Sequence, residues 1–215
     1  MLNTDCKAMI YPKRNWLMHW VLKTYVHFIL KRYFFIIDFN NVEIDRSKSI
    51  LLIANHFSVW DGLVLYWVMQ RLSTKKFHVM LLEETSKKEP MLKYGGAFSV
   101  SKGSKDIIRS LDYTIELLAD PANLVLIFPQ GKLYSNFIDE MNFENGVMKI
   151  MSGARGKFQL VYAATFIENF QHKRPTATVY LRNETNCTFE NIAALTGSYQ
   201  QHYNVSRQQQ TSKVL

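Results

Sequence analysis

Cysteine is scarce in this chain of 215 residues, and no long uncharged apolar run is present. Its two cysteines, Cys6 and Cys187, cannot form a disulfide framework, and neither lies in a CxxC or Cys/His cluster. The sequence therefore argues against a disulfide-rich secreted fold and gives no support for a zinc site. An apolar fraction of 47% and a charged fraction of 20% exclude wholesale disorder and collagen-like repeats.

Acidic residues are too few to balance the basic ones, which leaves a formal net charge of +8. The surplus is concentrated in residues 1–32 and 71–105, each with a net charge of +5. Such a surplus predicts an anionic partner: nucleic acid, a phosphate-bearing cofactor or an acidic membrane surface. No nucleic-acid-binding signature accompanies the cations, so we expect no nucleic-acid partner.

The segment NWLMHWVLKTYVHFIL, residues 15–30, has polar residues at every fourth position and is apolar nearly everywhere else. This spacing predicts a helix with an unusually wide apolar face. Lys23 interrupts the run, which is too short to span a bilayer and lacks the features of a secretory signal. We expect an interfacial helix, with Trp and Phe in the acyl boundary and the cations against anionic headgroups. The alternative is a core helix that covers the sheet.

From Tyr33 onward, apolar runs alternate with segments of helical periodicity. Strands are predicted over 33–39, 49–54, 77–82, 97–100, 124–128, 159–166 and 176–181. Helices are predicted over 61–72, 87–94, 104–119 and 143–155. This alternation predicts an α/β domain with a largely parallel sheet flanked by helices. The expected organisation is a basic amphipathic helix (1–32), the α/β domain (33–197) and a polar, frayed, Gln-rich tail (198–215).

His56 and Asp61 follow the apolar run SILLIA and open the next predicted helix. Ligands bind at such strand ends in α/β sheets. The two residues meet if His56 lies in the turn and Asp61 in the first helical turn. Asp61 would then accept the Nδ1–H of His56 and leave Nε2 free to take a proton. No Ser or Cys lies in a nucleophile elbow, which favours direct attack by a substrate hydroxyl. The alternative is a purely structural histidine.

Two further stretches lie at the ends of predicted strands: GAFSVSK at 96–102 and FPQGKL at 128–133. Together with the N-H-x4-D pattern of residues 55–61, they resemble in order and spacing the motifs of the glycerolipid acyltransferases. That family acylates glycerol 3-phosphate, lysophosphatidic acid and related lysolipids. FENG at 143–146 resembles the F-x-x-G after the third motif, and 159–165 resembles the apolar fourth motif. The resemblance covers residues 33–166.

The resemblance implies a glycerol-3-phosphate acyltransferase-like α/β domain that moves a fatty acyl group from acyl-CoA or acyl-carrier protein to a lipid hydroxyl. It makes His56 the general base and Asp61 the residue that orients it, with no covalent intermediate, cofactor or metal. Backbone amides or polar groups near Gly131 and the His56 turn are expected to stabilise the oxyanion. The residues it assigns to substrate binding are Asn55, Lys102, Phe128, Pro129, Gln130, Gly131 and Lys132.

Ser99 replaces a phenylalanine of the second motif. Three further departures concern polar family residues: Gln130 replaces an acidic residue, Lys102 replaces an arginine, and Leu133 replaces another arginine. In the family these residues help to hold a phosphorylated acceptor. A lysine binds phosphate as a point charge but lacks the bidentate guanidinium fork. The departures therefore predict that lysophosphatidic acid is a poorer acceptor than a hydroxylated lipid without a phosphate monoester.

The expected partners are an anionic membrane surface and the acyl donor. The basic segment 71–105 either binds CoA phosphates or an acidic carrier protein, or is a solvated charged face. One catalytic domain with one interfacial helix suggests a bacterial enzyme at the cytoplasmic face of the inner membrane, attached peripherally. The alternative function is a non-catalytic membrane-binding module on the same fold, which the retained His56–Asp61 pair argues against.

Overall fold

The computed structural model describes residues 10–100 and 104–213, in which helices and strands alternate as predicted. In chain order the elements are α1 Trp16–Tyr33, β1 Ile36–Phe39, β2 Ser49–Ala54, α2 Asp61–Leu72, β3 Lys76–Leu82, α3 Glu83–Lys88, a 3₁₀ helix Pro90–Gly95, β4 Ala97–Val100, α4 Ser104–Leu118, β5 Asn123–Ile127, α5 Gly146–Gly153, β6 Phe158–Glu168, β7 Thr176–Glu184 and α6 Ile192–Thr211.

The strands form one seven-stranded sheet in the order β1-β7-β6-β2-β5-β3-β4. The five strands from β6 to β4 are mutually parallel, whereas β7 runs antiparallel to β6. Only a short connection joins β6 to β7, too short for the crossover that parallel neighbours need. At the edge, β1 pairs in parallel with β7. The prediction of a mixed, largely parallel sheet in an α/β domain is confirmed.

Strand β2 lies in the middle of the sheet, and all six of its residues are buried. Its alternate side chains enter two apolar layers, one on each face of the sheet. Helices α1 and α2 cover the first face, and α4, α5 and α6 cover the second. A strand covered on both faces reads as a continuous apolar run, which explains the sequence SILLIA.

Helix α1 begins after Asn15, whose side chain accepts the backbone N–H of Met18 at 3.0 Å as an N-cap. Leu22, Val26 and Leu30 are buried in the core, so one face of α1 does cover the sheet. The opposite arc leaves large apolar side chains exposed: Trp16, Leu17, Trp20, Val21, Tyr25 and Phe28. Among the described residues, no helix has both the length and the apolar character needed to cross a bilayer.

Several predicted boundaries are wrong, among them those of the helix predicted over 143–155, which spans Gly146–Gly153, and of the strand predicted over 176–181, which continues to Glu184. The helix predicted over 87–94 is divided in two, because Pro90 has no N–H and keeps Glu89 out of the helical region, at φ −121° and ψ 67°. The first strand begins at Ile36 and not at Tyr33, since α1 continues through Tyr33.

The predicted frayed tail is also wrong, because residues 198–211 belong to helix α6. Asn191 caps this helix by accepting the N–H of Ala194 at 2.9 Å. Several polar side chains of α6 are buried, which the sequence composition does not suggest. They are buried with hydrogen bonds: His202 donates to the carbonyl of Tyr180, and Gln210 accepts from the hydroxyl of Tyr180.

Candidate active site

Parallel strands bring the first and third motifs to the same edge of the sheet. Strands β2 and β5 are neighbours in register, with Ile53 opposite Ile127, so residues 55–61 and 128–133 leave the sheet side by side. The second motif leaves β4, which runs in the same direction two strands beyond β5. Its cation, Lys102, lies outside the described residues.

The structure brings His56 and Asp61 together as predicted, with His56 in the turn and Asp61 as the first residue of α2. The Nδ1 atom of His56 lies 3.0 Å from Oδ2 of Asp61, whose side chain is completely buried. The same oxygen accepts the backbone N–H groups of Phe57 and Ser58 at 2.8 and 2.9 Å. Three donors thus converge on one carboxylate oxygen and fix the shape of the turn.

This arrangement determines which nitrogen of His56 is available for chemistry. An ionised carboxylate only accepts hydrogen bonds, so Nδ1 carries the proton and Nε2 keeps its lone pair. The ring of Phe128 stacks on the imidazole at a centroid distance of 4.2 Å and limits its rotation. Because the side chain of His56 remains 27% exposed, Nε2 can accept a proton from a bound substrate.

Gln130 and Asn55 connect the His56 turn to the neighbouring strands β5 and β6. Gln130 is 2% exposed, and its Oε1 accepts the backbone N–H of His56 at 2.7 Å. Asn55 is 3% exposed and binds the backbone of Thr165 on β6 with both ends of its amide, at 3.0 and 2.9 Å. Both residues were expected to bind substrate, yet their side chains face the protein interior. The absence of charge at Gln130 therefore says little about a phosphorylated acceptor.

The rest of the third motif forms a tight turn that ends at the surface. The carbonyl of the buried Pro129 accepts the N–H of Glu144 at 2.8 Å. Gly131 has a φ of +66°, and a Cβ there would lie 3.2 Å from Cγ of Glu144, so this position favours glycine. Lys132 is exposed, with its Nζ 5.1 Å from the ring centroid of Tyr134.

The backbone amides expected to stabilise the oxyanion already have partners within the protein. The N–H of His56 donates to Oε1 of Gln130, and the N–H of Gly131 donates to the carbonyl of Phe128 at 3.2 Å. The N–H groups of Phe57 and Ser58 both donate to Asp61. The expectation that these amides form the oxyanion hole is thus not supported by their geometry.

An open cleft of about 400 Å³ adjoins the His56 turn. It lies between the end of α1, the first motif and the loop after the third motif, so all three contribute to its walls. Most of its lining is apolar or aromatic, which suits a hydrocarbon chain. The lining residues are Tyr33, Phe34, Phe57, Ser58, Trp60, Asn136, Phe137, Ile167 and Pro175.

Tyr199 of α6 also supports the site, although the sequence did not predict it. It is fully buried, and its hydroxyl donates to the carbonyl of Ala163 at 2.8 Å, with Oδ1 of Asn55 3.5 Å away. Burial raises the pKa of Tyr199 well above its usual value, so the hydroxyl remains a donor. The spacing of Leu195, Tyr199 and Tyr203, together with the capping Asn191, is the signal that would have found this helix.

Within residues 10–100 and 104–213, no group of three or more His, Cys, Asp or Glu is placed to hold a metal ion. The family model described as Acyltransferase matches residues 36–167, more than half of the chain, and this range contains all four motif stretches. The comparison with curated proteins gives no match. On the family match, this chain belongs to the acyltransferase family and is an acyltransferase.

Proposed function

We propose that this acyltransferase moves a fatty acyl group from acyl-CoA or acyl-carrier protein to a hydroxyl of a lysolipid or other hydroxylated lipid. The observation that carries the proposal is the contact between His56 and the buried Asp61 at the carboxyl end of β2. An imidazole held by a carboxylate through Nδ1 is a general base at Nε2, and a lipid hydroxyl needs such a base to attack a thioester.

The reaction proceeds by direct transfer. Nε2 of His56 takes the proton of the acceptor hydroxyl as its oxygen attacks the thioester carbonyl carbon. The tetrahedral intermediate collapses with cleavage of the C–S bond, and the imidazolium returns the proton to the departing thiolate. The products are an ester and a free thiol, with no bond formed to the protein. The carboxylate of Asp61 stabilises the imidazolium while it carries the proton.

The apolar cleft beside the His56 turn is the proposed site for the acyl chain of the donor. Phe57 and Trp60 belong to the same turn as His56, so a chain lying against them places its thioester close to the imidazole. Ser58 and Asn136 are the polar residues of a lining that is otherwise apolar or aromatic. Burial of a hydrocarbon chain there would be favourable by roughly 25 cal/mol for each Å² of apolar surface removed from water.

The proposed acceptor class includes phosphorylated lysolipids. Leu133 remains a departure from the family pattern and is exposed near the site, where it offers no charge. Lys132, one residue earlier, is exposed and able to meet a phosphate. Gln130 binds the backbone of the His56 turn, so its lack of charge is no longer a reason to expect poor use of lysophosphatidic acid. Only the replacements at Leu133 and Lys102 still favour that expectation.

The proposed membrane partner is an anionic lipid surface that contacts the exposed face of α1. Trp16, Trp20 and Phe28 are 83%, 58% and 66% exposed. A soluble surface rarely presents such large apolar side chains together unless they meet a partner. The helix and the residues that precede it also carry exposed cations suited to acidic headgroups: Lys13, Arg14, Lys23, Lys31 and Arg32. Tyr33 at the end of α1 lines the cleft, which joins the proposed lipid surface to the site.

The activity is tested by incubating the protein with acyl-CoA or acyl-carrier protein and a panel of lysolipids and hydroxylated lipids. Release of the free thiol measures thioester turnover, and mass analysis identifies the acylated product. Thiol release that depends on one acceptor class supports the proposal. If neither donor yields free thiol or an acylated product with any acceptor, the proposal is contradicted.

A further inference from the structure

The loop of residues 134–142, here called the cleft loop, forms part of the cleft wall without regular secondary structure. Asn136 and Phe137 line the cleft, and the N–H of Tyr134 donates to the carbonyl of His56 at 2.9 Å. The loop therefore contacts both the proposed general base and the proposed chain site. Ile138 and Met141 pack against the core, and side-chain hydrogen bonds hold the backbone of the loop in addition.

Helix α6 supplies such hydrogen bonds from outside the range that matches the family. Oε1 of Gln200 accepts the N–H of Met141 at 2.7 Å, and its Nε2 donates to the carbonyl of Asp139 at 3.0 Å. The hydroxyl of Tyr203 donates to the carbonyl of Asn136 at 3.1 Å. Gln200 and Tyr203 are three residues apart, so they lie on the same side of the helix.

Burial decides which of the α6 contacts fix the loop. The side chain of Tyr203 is fully buried and packs against Phe166 at a ring distance of 5.4 Å, so its hydroxyl has little freedom to move. A fourth contact joins Arg207 to Asp139, but these side chains are 38% and 84% exposed. Exposed ion pairs contribute little. Gln200 is half-buried and binds the loop backbone twice, at Met141 and Asp139. Tyr203 and Gln200 are therefore the important contacts.

Asn136 shows what this positioning controls. Its backbone carbonyl is held by Tyr203, while its side-chain Oδ1 is buried and accepts no hydrogen bond from any described residue. Beside it, the ring of Phe137 is 80% exposed and lines the cleft. A displacement of this part of the loop would move both the free acceptor and the aromatic ring, and so change the space for a chain.

We infer that Tyr203 and Gln200 are positioning residues that hold the cleft loop and thereby set which acyl-chain lengths the cleft admits. This inference rests on the proposed function, in which the cleft receives the acyl chain of the donor. Helix α6, which lies outside the residues matched by the family model, would then contribute to specificity.

The test compares Tyr203→Phe and Gln200→Ala with matched controls. Tyr180→Phe also removes a hydroxyl bonded to α6, at Gln210, and Gln201→Ala changes an exposed neighbour in the same helix. For each protein, calorimetry gives the affinity for unreactive S-alkyl-coenzyme A thioethers of short, medium and long chain, and kinetics gives kcat and KM for the matching acyl-CoAs. Thermal unfolding provides the measure of stability.

The expected result is a change of roughly 3- to 10-fold in the long-to-short affinity ratio for Tyr203→Phe and Gln200→Ala, the size of one lost hydrogen bond. In the kinetics, KM should change while kcat stays nearly constant. The control variants should keep the long-to-short affinity ratio of the wild type. Wild-type ratios in both Tyr203→Phe and Gln200→Ala, or a wild type that binds no thioether or shows no chain preference, would overturn the inference. A wild type that binds thioethers selectively but transfers no acyl group would contradict only the proposed function.

Discussion

His56 and Asp61 meet through one oxygen: Nδ1 of His56 lies 3.0 Å from Oδ2 of Asp61, the atom that also accepts the N–H groups of Phe57 and Ser58. The second carboxylate oxygen, Oδ1, is buried and has no hydrogen-bond partner among the described residues. The two oxygens therefore have different surroundings. This difference determines how an amide would fit in place of the carboxylate.

Asp61→Asn tests the charge of this carboxylate. Two backbone N–H groups point at the Oδ2 position, so we expect the amide oxygen to take that place and still accept the Nδ1–H of His56. The correct tautomer then survives, but the imidazolium loses its counter-charge, and the amide nitrogen is buried without an acceptor. We expect kcat to fall by about 10²-fold or more while the protein remains folded. Steady-state kinetics measures kcat, and circular dichroism checks the fold. An unchanged kcat would show that the charge of Asp61 is not needed.

Gln130 is predicted to matter for the shape of the His56 turn. Gln130→Ala leaves the part-buried N–H of His56 without its acceptor, at a cost of about 1–3 kcal/mol, and lets the imidazole shift. Gln130→Glu keeps an oxygen acceptor at the same position, so its kcat should stay closer to that of the wild type. Thermal unfolding and turnover of the two variants check this order. If Gln130→Ala is as active and as stable as the wild type, the hydrogen bond has no such role.

The positions of most strands and the meeting of His56 with Asp61 were predictable because they follow from local patterns. Apolar runs such as SILLIA identify buried strands, and a His in the turn before a helix that begins with Asp leaves few other geometries. The direction of the Gln130 side chain was not predictable. A polar residue in a motif is compatible with binding either a substrate or the backbone, and only the packing of β5 beside β2 decides between them.

Helix α6 is inconspicuous in the sequence because only the spacing of Leu195, Tyr199 and Tyr203 marks its apolar face. Its buried face includes His202, Ser206 and Gln210. Ser206 donates to the carbonyl of His202 within the helix, whereas His202 and Gln210 depend on hydrogen bonds to Tyr180 on β7. Such partners are distant in sequence, so a composition rich in glutamine suggested a frayed end. The helix has consequences for stability as well as for the cleft, because one of its buried polar groups is titratable.

His202 is predicted to make the protein sensitive to acid. Burial is the main cause that lowers its pKa from 6.5 to about 4. Between these values the unfolded chain binds a proton at His202 that the folded chain does not. The free energy of unfolding should therefore fall, by about 3 kcal/mol at most, as the pH drops from 6.5 to 4.

Burial also lowers the pKa of His78 to about 4, so His78 should add an acid sensitivity of similar size. His202→Gln should therefore remove about half of the combined acid sensitivity of the two histidines. The glutamine amide can still donate to the carbonyl of Tyr180. Denaturant unfolding at a series of pH values measures the effect, with His27→Gln at an exposed position as the control. A His202→Gln curve parallel to that of the wild type would refute the assignment.

The exposed face of α1 is predicted to bind anionic membranes. Trp16→Ser combined with Trp20→Ser should weaken sedimentation with anionic vesicles by roughly tenfold or more, because both rings lose their burial in lipid. Val205→Ser, at a partly exposed apolar position of α6, should have no effect. High salt should remove only part of the affinity, since screening leaves the apolar contribution intact. Equal binding of the double variant and the wild type would contradict the interfacial role.

The most direct measurement of the central claim is the rate of acyl transfer by His56→Ala, compared with the wild type on the same acyl thioester and acceptor. Nε2 of His56 is the proposed proton acceptor, and positioned general bases contribute about 10²–10⁴-fold. We predict a loss of that size, with the fold and vesicle binding retained, since the His56 side chain belongs to neither the apolar core nor the exposed face of α1. A folded His56→Ala protein that transfers acyl groups at a near-normal rate would contradict the general-base mechanism.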